Sequence, residues 1–312
     1  MIFIENFKDG EVITGHYLCK QKQLLKSKAQ KSYLSLLLAD KTGKIDGKVW
    51  DLNNGIQDFE EGDMIKIEAA AQVYNSELQL KITRLRKSEE GEYTPGDYVR
   101  TTDKDVTELS VQLTGFINTI GDLYIKKLLE NIFGRDDVTK NMQLSSAART
   151  LHHAYVGGLI EHTVSVTQMC DFMSSRYKHV NRDILIASAM LHDIEKIREL
   201  SLFPENEYTD EGQLIGHIVM GCELITEEAA KIEGFPEKTK LLLKHCILAH
   251  HGELEFGSPK MPNIIEAYLL HLCDNFDAKA KAFEEYLTND KTDSTWIGYN
   301  KMLNRYIRKT DL

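Results

Sequence analysis

The segment MLHDIEKI, residues 190–197, places an imidazole, two carboxylates and an ammonium directly after an apolar run. That run, residues 183–191, has apolar side chains at helical spacing and contains neither Gly nor Pro, so a buried helix is predicted there. Burying a polar group without a partner costs roughly 2–7 kcal/mol. A hydrogen-bond network or a metal ion must therefore offset the burial of His192 and Asp193.

Further histidines continue this pattern along the chain. Ten of the 11 histidines lie between residues 152 and 271, several of them beside acidic residues in apolar segments. Imidazole and carboxylate ligands without thiolates suit Mn²⁺, Fe²⁺, Ni²⁺ or Zn²⁺. Neighbouring helical side chains diverge by only ~100°, so His192 and Asp193 can serve one centre. The ordered candidates are His162, His192-Asp193, His217, His250-His251 and Asp274.

This order, H…HD…D with additional histidines, resembles the HD-domain phosphohydrolase superfamily and its two-metal variants. We assign the first metal to the ligands His162, His192, Asp193 and Asp274. The second metal is assigned to His217, His250 and His251, with Asp193 shared. Two such ions, ~3.5–4 Å apart, would activate a water and clamp a phosphodiester for in-line displacement.

Lys196 is the second catalytic candidate after Asp193. It follows Asp193 by three residues and so lies on the same side of the predicted helix, where its ammonium could neutralise charge on a phosphoryl oxygen. HD hydrolases often have a glycine before this lysine, whereas Glu195 stands there in this chain. We expect Glu195 to face solvent; the alternative is that its charge weakens phosphate binding.

Two kinds of element must position these residues and deliver the substrate. Residues 1–87 contain about five strand patterns with turns near Asp40–Gly43 and Asn75-Ser76, which predicts an all-β OB-like barrel, with an SH3-like barrel as the alternative. Residues 88–105 read as a linker rich in Gly, Pro and charge. Residues 106–312 read as an all-α HD domain, with later helices predicted at 144–156, 159–177, 182–199, 213–233, 237–250, 262–287 and 296–308.

An OB barrel commonly binds single strands by stacking bases on aromatic rings and meeting phosphates with cations. The stacking candidates are Tyr33, Trp50 and Tyr74, and Lys48 is a phosphate-binding candidate. Core packing is the alternative for Tyr33 and Trp50. The pair His152-His153 precedes the Gly157-Gly158 turn, so substrate contact is expected there, with packing as the alternative.

Composition limits the class of protein. The 312 residues are 42% hydrophobic and 28% charged, as in globular domains, and no run reaches the ~20 apolar residues of a membrane span. The first residues lack a signal-peptide pattern, and the five cysteines form no CxxC motif, so a cytoplasmic protein without membrane association is expected. The net charge of −10 requires any nucleic-acid binding to use local basic patches or metal ions.

The order of barrel, linker and HD domain resembles the YhaM-type 3′→5′ exoribonucleases. The resemblance covers nearly the whole chain and implies a Mn²⁺-dependent enzyme that trims single-stranded RNA, and often single-stranded DNA, from the 3′ end. Two rival hypotheses remain: an HD nucleotidase or dNTP phosphohydrolase with a regulatory barrel, and a nucleic-acid-binding factor whose HD site is impaired by Glu195. The number of ions, one or two, and assembly into a homo-oligomer are left open.

Overall fold

The computed structural model divides the chain into two compact units, residues 1–101 and 102–312. It describes residues 2–27, 30–52, 55–75, 77–89, 91–149, 153–203, 205–290, 292–300 and 303–310. The predicted linker, 88–105, is divided between the two units. Within the described ranges, no helix combines the length and the apolar character that crossing a membrane requires.

The first unit is a closed five-stranded barrel. Its strands are β1 (Val12–Lys26), β2 (Ser32–Asp40), β3 (Gly43–Val49), β4 (Met64–Tyr74) and β5 (Glu77–Lys87). They follow the order β1-β2-β3-β5-β4; β3 and β5 pair in parallel and the other neighbours are antiparallel. Alternate side chains of β4, from Ile65 to Ala71, point into the barrel and are buried, as a period of two requires. The predicted OB-like barrel is confirmed.

The second unit is built from helices, as predicted. They are α1 (Val106–Asn118), α2 (Leu123–Phe133), α3 (Asp136–Leu144), α4 (Gly158–Arg176), α5 (Arg182–Leu191), α6 (Lys196–Glu199), α7 (Asp210–Leu214), α8 (His217–Ala230), α9 (Glu237–Ala249) and α10 (Ile265–Asn289). Side chains cap several N-termini: Asp105, Asp122 and Asn181 accept hydrogen bonds from the first free N–H groups of α1, α2 and α5.

Helix α5 lies at the centre of this unit. Every residue from Ile184 to Leu191 is buried, and α5 packs against α4, α9 and α10. A helix that is apolar on all sides can only be stable inside such a core. Polar side chains carried at its end, or on the inner faces of its neighbours, are therefore removed from water together.

Three predicted helices differ in the structure. The predicted helix 182–199 is interrupted, because residues 192–195 form a turn between α5 and α6. Of the predicted helix 144–156, residue 144 ends α3, and the other described residues are not helical. The predicted helix 296–308 is a hairpin of β6 (Trp296–Asn300) and β7 (Arg305–Arg308); its aromatic and β-branched residues favour strands, a preference that outweighs the apparent helical spacing.

Gly158 is required where α4 begins. A Cβ at this position would lie 2.0 Å from the carbonyl oxygen of His153. We therefore expect Gly158→Ala to lower the free energy of unfolding by about 2 kcal/mol or more, because the loop 153–157 must shift. Gly115 in α1 is the matched control: nothing lies within 4 Å of its Cβ position. Gly115→Ala should raise the free energy of unfolding by about 0.5–1 kcal/mol.

Urea unfolding of the two variants beside the parent protein measures both effects. Equal changes in the free energy of unfolding of the two variants would contradict the expected clash at Gly158.

Candidate metal centre

The carboxylate of Asp193 lies at the centre of a cluster of buried histidines. The turn that follows α5 directs this side chain into the core, where it is buried. Its Oδ1 lies 3.3 Å from His217 Nε2 and 3.7 Å from His250 Nε2. Its Oδ2 lies 3.5 Å from His162 Nε2 and 3.4 Å from His192 Nε2. Each carboxylate oxygen therefore faces a different pair of imidazoles.

The first group of donors contains His162 from α4, His192 at the end of α5, Asp193 and Asp274 from α10. His162 Nε2 lies 3.2 Å from His192 Nε2 and 3.2 Å from Asp274 Oδ1. His192 Nε2 lies 3.9 Å from the same Asp274 oxygen. Donors from three helices, separated by more than a hundred residues in sequence, thus converge on one small volume.

The second group contains His217, His250 and His251. One ligand atom from each lies within 4.8 Å of the others. His217 begins α8, and His250 and His251 follow the last residue of α9. Because Asp193 Oδ1 faces His217 and His250, the structure brings together all seven side chains that the sequence analysis named as metal ligands.

Hydrogen bonds orient four of these imidazoles in the same way. In each ring Nδ1 lies within 2.8 Å of an oxygen that accepts hydrogen bonds, so Nδ1 carries a proton and Nε2 is the atom left to bind a metal. The pairs are His162 with Asp277, His192 with the Ala189 carbonyl, His217 with Glu199, and His250 with the Ile247 carbonyl. A histidine that binds a metal through Nε2 needs this arrangement.

Three buried atoms at the centre have no hydrogen-bond partner within the described part of the chain: Asp193 Oδ1, His217 Nε2 and His250 Nε2. Leaving three such atoms unpaired in a core is unfavourable. All three converge on one point, and together with His251 they offer only nitrogen and oxygen donors. This donor set fits a divalent cation.

The protonation states of Asp193, His250 and His251 suit metal binding. Burial raises the pKa of Asp193, but the charge of Lys196 and the neighbouring histidines hold that pKa well below its usual range. Burial lowers the pKa of His250, and burial beside His250 lowers the pKa of His251 to about 4. An ionised carboxylate and neutral imidazoles are the forms that bind metals.

The protonation state of His162 differs. Burial lowers its pKa, but Asp274 and Asp277 raise that pKa to about 10. Metal binding would therefore displace a proton from this ring.

Lys196 lies against the same carboxylate. Its Nζ donates to Asp193 Oδ2 at 2.7 Å and to the carbonyl oxygen of Ala147 at 2.7 Å. An ammonium carries three N–H donors, so these two contacts leave one for another acceptor. Although residues 192–195 are a turn rather than a helix, Lys196 is on the same side as Asp193, as predicted.

The expectation that Glu195 faces solvent is wrong. The residue is only 3% exposed, and its Oε2 lies 3.3 Å from Nη1 of Arg198. Burial raises the pKa of Glu195 despite the nearby positive charge of Arg198. The turn directs Asp193 towards the histidines, and the carboxylate of Glu195 pairs with Arg198 instead of with Lys196.

The structure also corrects His153. Its ring was expected to contact nucleic acid, but it is only 1% exposed. His153 Nε2 lies 3.0 Å from Asp277 Oδ2, and Nδ1 lies 3.0 Å from the hydroxyl of Tyr155. The positive φ of 56° at His153 turns the chain back into the core. His153 therefore supports Asp277, which in turn holds His162. The companion candidate, His152, lies outside the described residues.

Two carboxylates outside the ligand set support the site. Asp277 accepts hydrogen bonds from His162 and from the hydroxyl of Ser165. It follows Asp274 by one helical turn, and that spacing predicts a supporting rather than a ligating role for it from the sequence. Glu199 accepts from both the backbone N–H and Nδ1 of His217. That contact joins α6 to α8, and no local pattern predicts it.

Three of the four barrel candidates lie together. Tyr33 in β2 and Trp50, which directly follows β3, have their rings stacked at 4.4 Å between centroids and 25° between planes. Lys48 is on the same face as Tyr33 and donates to Ser35 Oγ at 2.6 Å. Tyr74 ends β4, which is separated from β3 by β5, so this exposed ring is not part of the group.

Comparison with known proteins gives two findings. The HD domain family model matches residues 159–279, a range that contains all seven candidate ligands and Lys196. HD domains are metal-dependent, in agreement with the donor set. Three proteins named 3′-5′ exoribonuclease YhaM are similar to most of this chain. The protein from Shouchella clausii is 32% identical over 91% of this chain and 89% of its own length.

The other two relatives give the same result. The protein from Geobacillus sp. is 31% identical over 92% of this chain and 89% of its own length. The protein from Bacillus subtilis is 30% identical over 90% of this chain and 90% of its own length. The similarity therefore spans both the barrel and the helical unit.

Metal binding should stabilise the second unit, because the donors join five of its helices. We expect Mn²⁺ added to the chelator-treated protein to raise Tm, since a ligand at 100 times its Kd adds about 2.7 kcal/mol. Asp193→Asn should abolish most of the rise, because it removes the charge shared by both groups. Asp103→Asn, at an exposed position, should keep the full rise. A metal-dependent shift that persists in Asp193→Asn would refute the shared role.

Proposed function

This chain belongs to the family of the YhaM 3′-5′ exoribonucleases, and on that premise we propose that it shortens single-stranded RNA from the 3′ end. The observation that carries the proposal is Asp193, whose two oxygens face separate groups of buried histidines. A carboxylate placed in this way is suited to bridge two cations. Two-metal sites serve phosphodiester hydrolysis in many nucleases.

The donor set favours two divalent ions, one at each group of histidines, with Mn²⁺ as our proposal. Fe²⁺, Ni²⁺ and Zn²⁺ suit the same nitrogen and oxygen donors. When bound, such ions supply a nucleophilic water at neutral pH and compensate the charge of the phosphoryl oxygens. All five cysteines are free thiols, which is consistent with the reducing cytoplasm as the place of action.

The chain's own residues would contribute orientation and charge. Asp277 and Glu199 hold the rings of His162 and His217 with Nε2 directed inwards. Lys196 is held by Asp193 and by the Ala147 carbonyl, which leaves its remaining N–H to donate to a phosphate oxygen. A fixed ammonium at this position would stabilise the charge that grows on that oxygen in the transition state.

The barrel face favours a polymer over a free nucleotide as substrate. Tyr33 and Trp50 form a stacked pair on its outer surface, with Lys48 beside it. Stacking of bases on such rings contributes about 1–3 kcal/mol per base. Catalysis on a free nucleotide does not require such a surface. The rival hypothesis was a nucleic-acid-binding factor whose HD site is impaired by Glu195. Its main argument does not hold, because Glu195 pairs with Arg198 and not with Lys196.

Product sizing tests this proposal directly. With Mn²⁺, a 5′-labelled single-stranded RNA should give a ladder of progressively shorter products, because nucleotides leave from the 3′ end. The same RNA labelled at its 3′ end should release the label as the first small product. Internal fragments from both substrates would indicate an endonuclease, and hydrolysis of free nucleotides alone would indicate a nucleotidase. The rate on single-stranded DNA of the same sequence, compared with the rate on RNA, measures the preference for ribose or deoxyribose. A reaction with chelator added is the control for metal dependence.

Lys196→Ala should separate turnover from metal binding. Loss of the ammonium should lower kcat roughly 100-fold or more, the usual effect of removing one transition-state donor. Metal affinity should be retained or increased, because Asp193 Oδ2 loses a cation that competes for it. Lys127→Ala is the control, since Lys127 is an exposed lysine of α2, and this variant should keep its activity. A lower metal content in Lys196→Ala than in the parent protein would contradict the catalytic role and would show that Lys196 supports the structure of the site.

A further inference from the structure

The hairpin of β6 and β7 has one face that the proposed mechanism does not use. Trp296 pairs with Arg308, and Tyr299 pairs with Tyr306. Cross-strand partners project from the same face of a sheet, so these four side chains form one surface, which we term the hairpin face. Ile307 alternates with Tyr306 and Arg308, and it is buried on the opposite side.

Three large aromatic rings of the hairpin face are exposed. The exposed fractions are 57% for Trp296, 47% for Tyr299 and 70% for Tyr306. The rings of Tyr299 and Tyr306 are 5.3 Å apart and meet edge to face. A group of exposed aromatic side chains on a rigid strand pair is a typical feature of binding surfaces.

The charge around these rings is opposite to that of the remaining helical unit. Residues 294–310 contain 4 Lys and Arg and no Asp or Glu, whereas residues 102–293 contain 19 Lys and Arg and 31 Asp and Glu. Arg305 and Arg308 are exposed. Lys309 forms a 2.7 Å ion pair with Asp290, a contact that fixes the hairpin to the end of α10. The strands of the hairpin therefore present two exposed arginines and no carboxylate on an otherwise acidic unit.

We propose that the hairpin face is a second binding site for single-stranded RNA, distinct from the barrel and the metal centre. Bases stack on Trp296 and on Tyr306, and the guanidinium of Arg308 contacts the phosphate backbone. A single-stranded nucleic acid combines free base faces with a line of negative charge, and it matches both features of this surface. The inference rests on the proposed function, because it names a further contact of the same substrate.

The binding site has a defined kinetic consequence. An RNA long enough to reach the hairpin gains affinity from it, whereas a dinucleotide bound at the metal centre does not. Loss of the site therefore raises KM for long RNA, and it leaves both kcat and the hydrolysis of a dinucleotide unchanged.

The tryptophan content makes a direct test possible. The chain has 2 tryptophans, so Trp50→Phe leaves Trp296 as the single tryptophan reporter and keeps an aromatic ring beside Tyr33 in the barrel. In chelator, which prevents hydrolysis, titration of this variant with a single-stranded oligouridylate should quench the fluorescence of Trp296. A duplex RNA of equal length should quench it much less, because its bases are already stacked. Adding Tyr306→Ala to the variant should weaken binding about tenfold, the loss of one stacking contact.

A matched substitution controls for nonspecific effects. Tyr268 in α10 is also an exposed tyrosine, at 53%, but lies outside the hairpin face; Tyr268→Ala should leave the titration unchanged. Circular dichroism confirms that each variant is folded. Absence of quenching in an enzyme that still produces the RNA ladder would overturn this inference alone, and absence of the ladder would overturn the proposed function. Quenching that depends on protein concentration without RNA would overturn it in favour of a second copy of the chain.

Discussion

The second unit depends on the compensation of one buried charge. Asp193 is removed from water where α4, α5, α8, α9 and α10 meet, and an unpaired ion in such a place costs several kcal/mol. Lys196, whose ammonium pairs with Asp193 Oδ2, lowers this cost, and a cation held between the carboxylate and the facing histidines would lower it further. Because these groups come from different helices, the packing of the helices and the geometry of the site depend on each other. A shift of any of these helices would leave part of the carboxylate uncompensated.

Hydrogen bonds around the ligands orient the histidine rings of the site. Asp277 and Glu199 accept hydrogen bonds from the outer nitrogens of His162 and His217, and backbone carbonyls do the same for His192 and His250. Each ring therefore presents the same nitrogen inwards. The remaining unpaired atoms at the centre are the ones that a cation would satisfy. The helical unit carries the charged centre, and exposed aromatic rings lie on the barrel and on the hairpin face.

Much of the site was accessible from residue types and their order. The ordered histidines and aspartates identified the donor set, because few structural reasons place so many imidazoles in apolar segments. Alternation and turn residues identified the barrel. Glu195 and His153 could not be placed in this way. Whether a side chain after α5 turns inwards depends on the turn at 192–195, and the burial of His153 depends on a backbone φ of 56°, neither of which follows from local hydrophobic spacing.

The sequence by itself therefore indicated the barrel, most of the helices and a candidate set of nitrogen and oxygen donors without thiolates, since these depend on residue types, their order and local periodicity. Only the tertiary structure decided which oxygen of Asp193 faces which histidines, that Glu199 supports His217, and that Glu195 pairs with Arg198. It also decided that residues 296–300 and 305–308 are strands with their aromatic rings on one face. The physical reason is that these features depend on distances between elements remote in sequence, or on pairing between strands, and local propensity does not encode either.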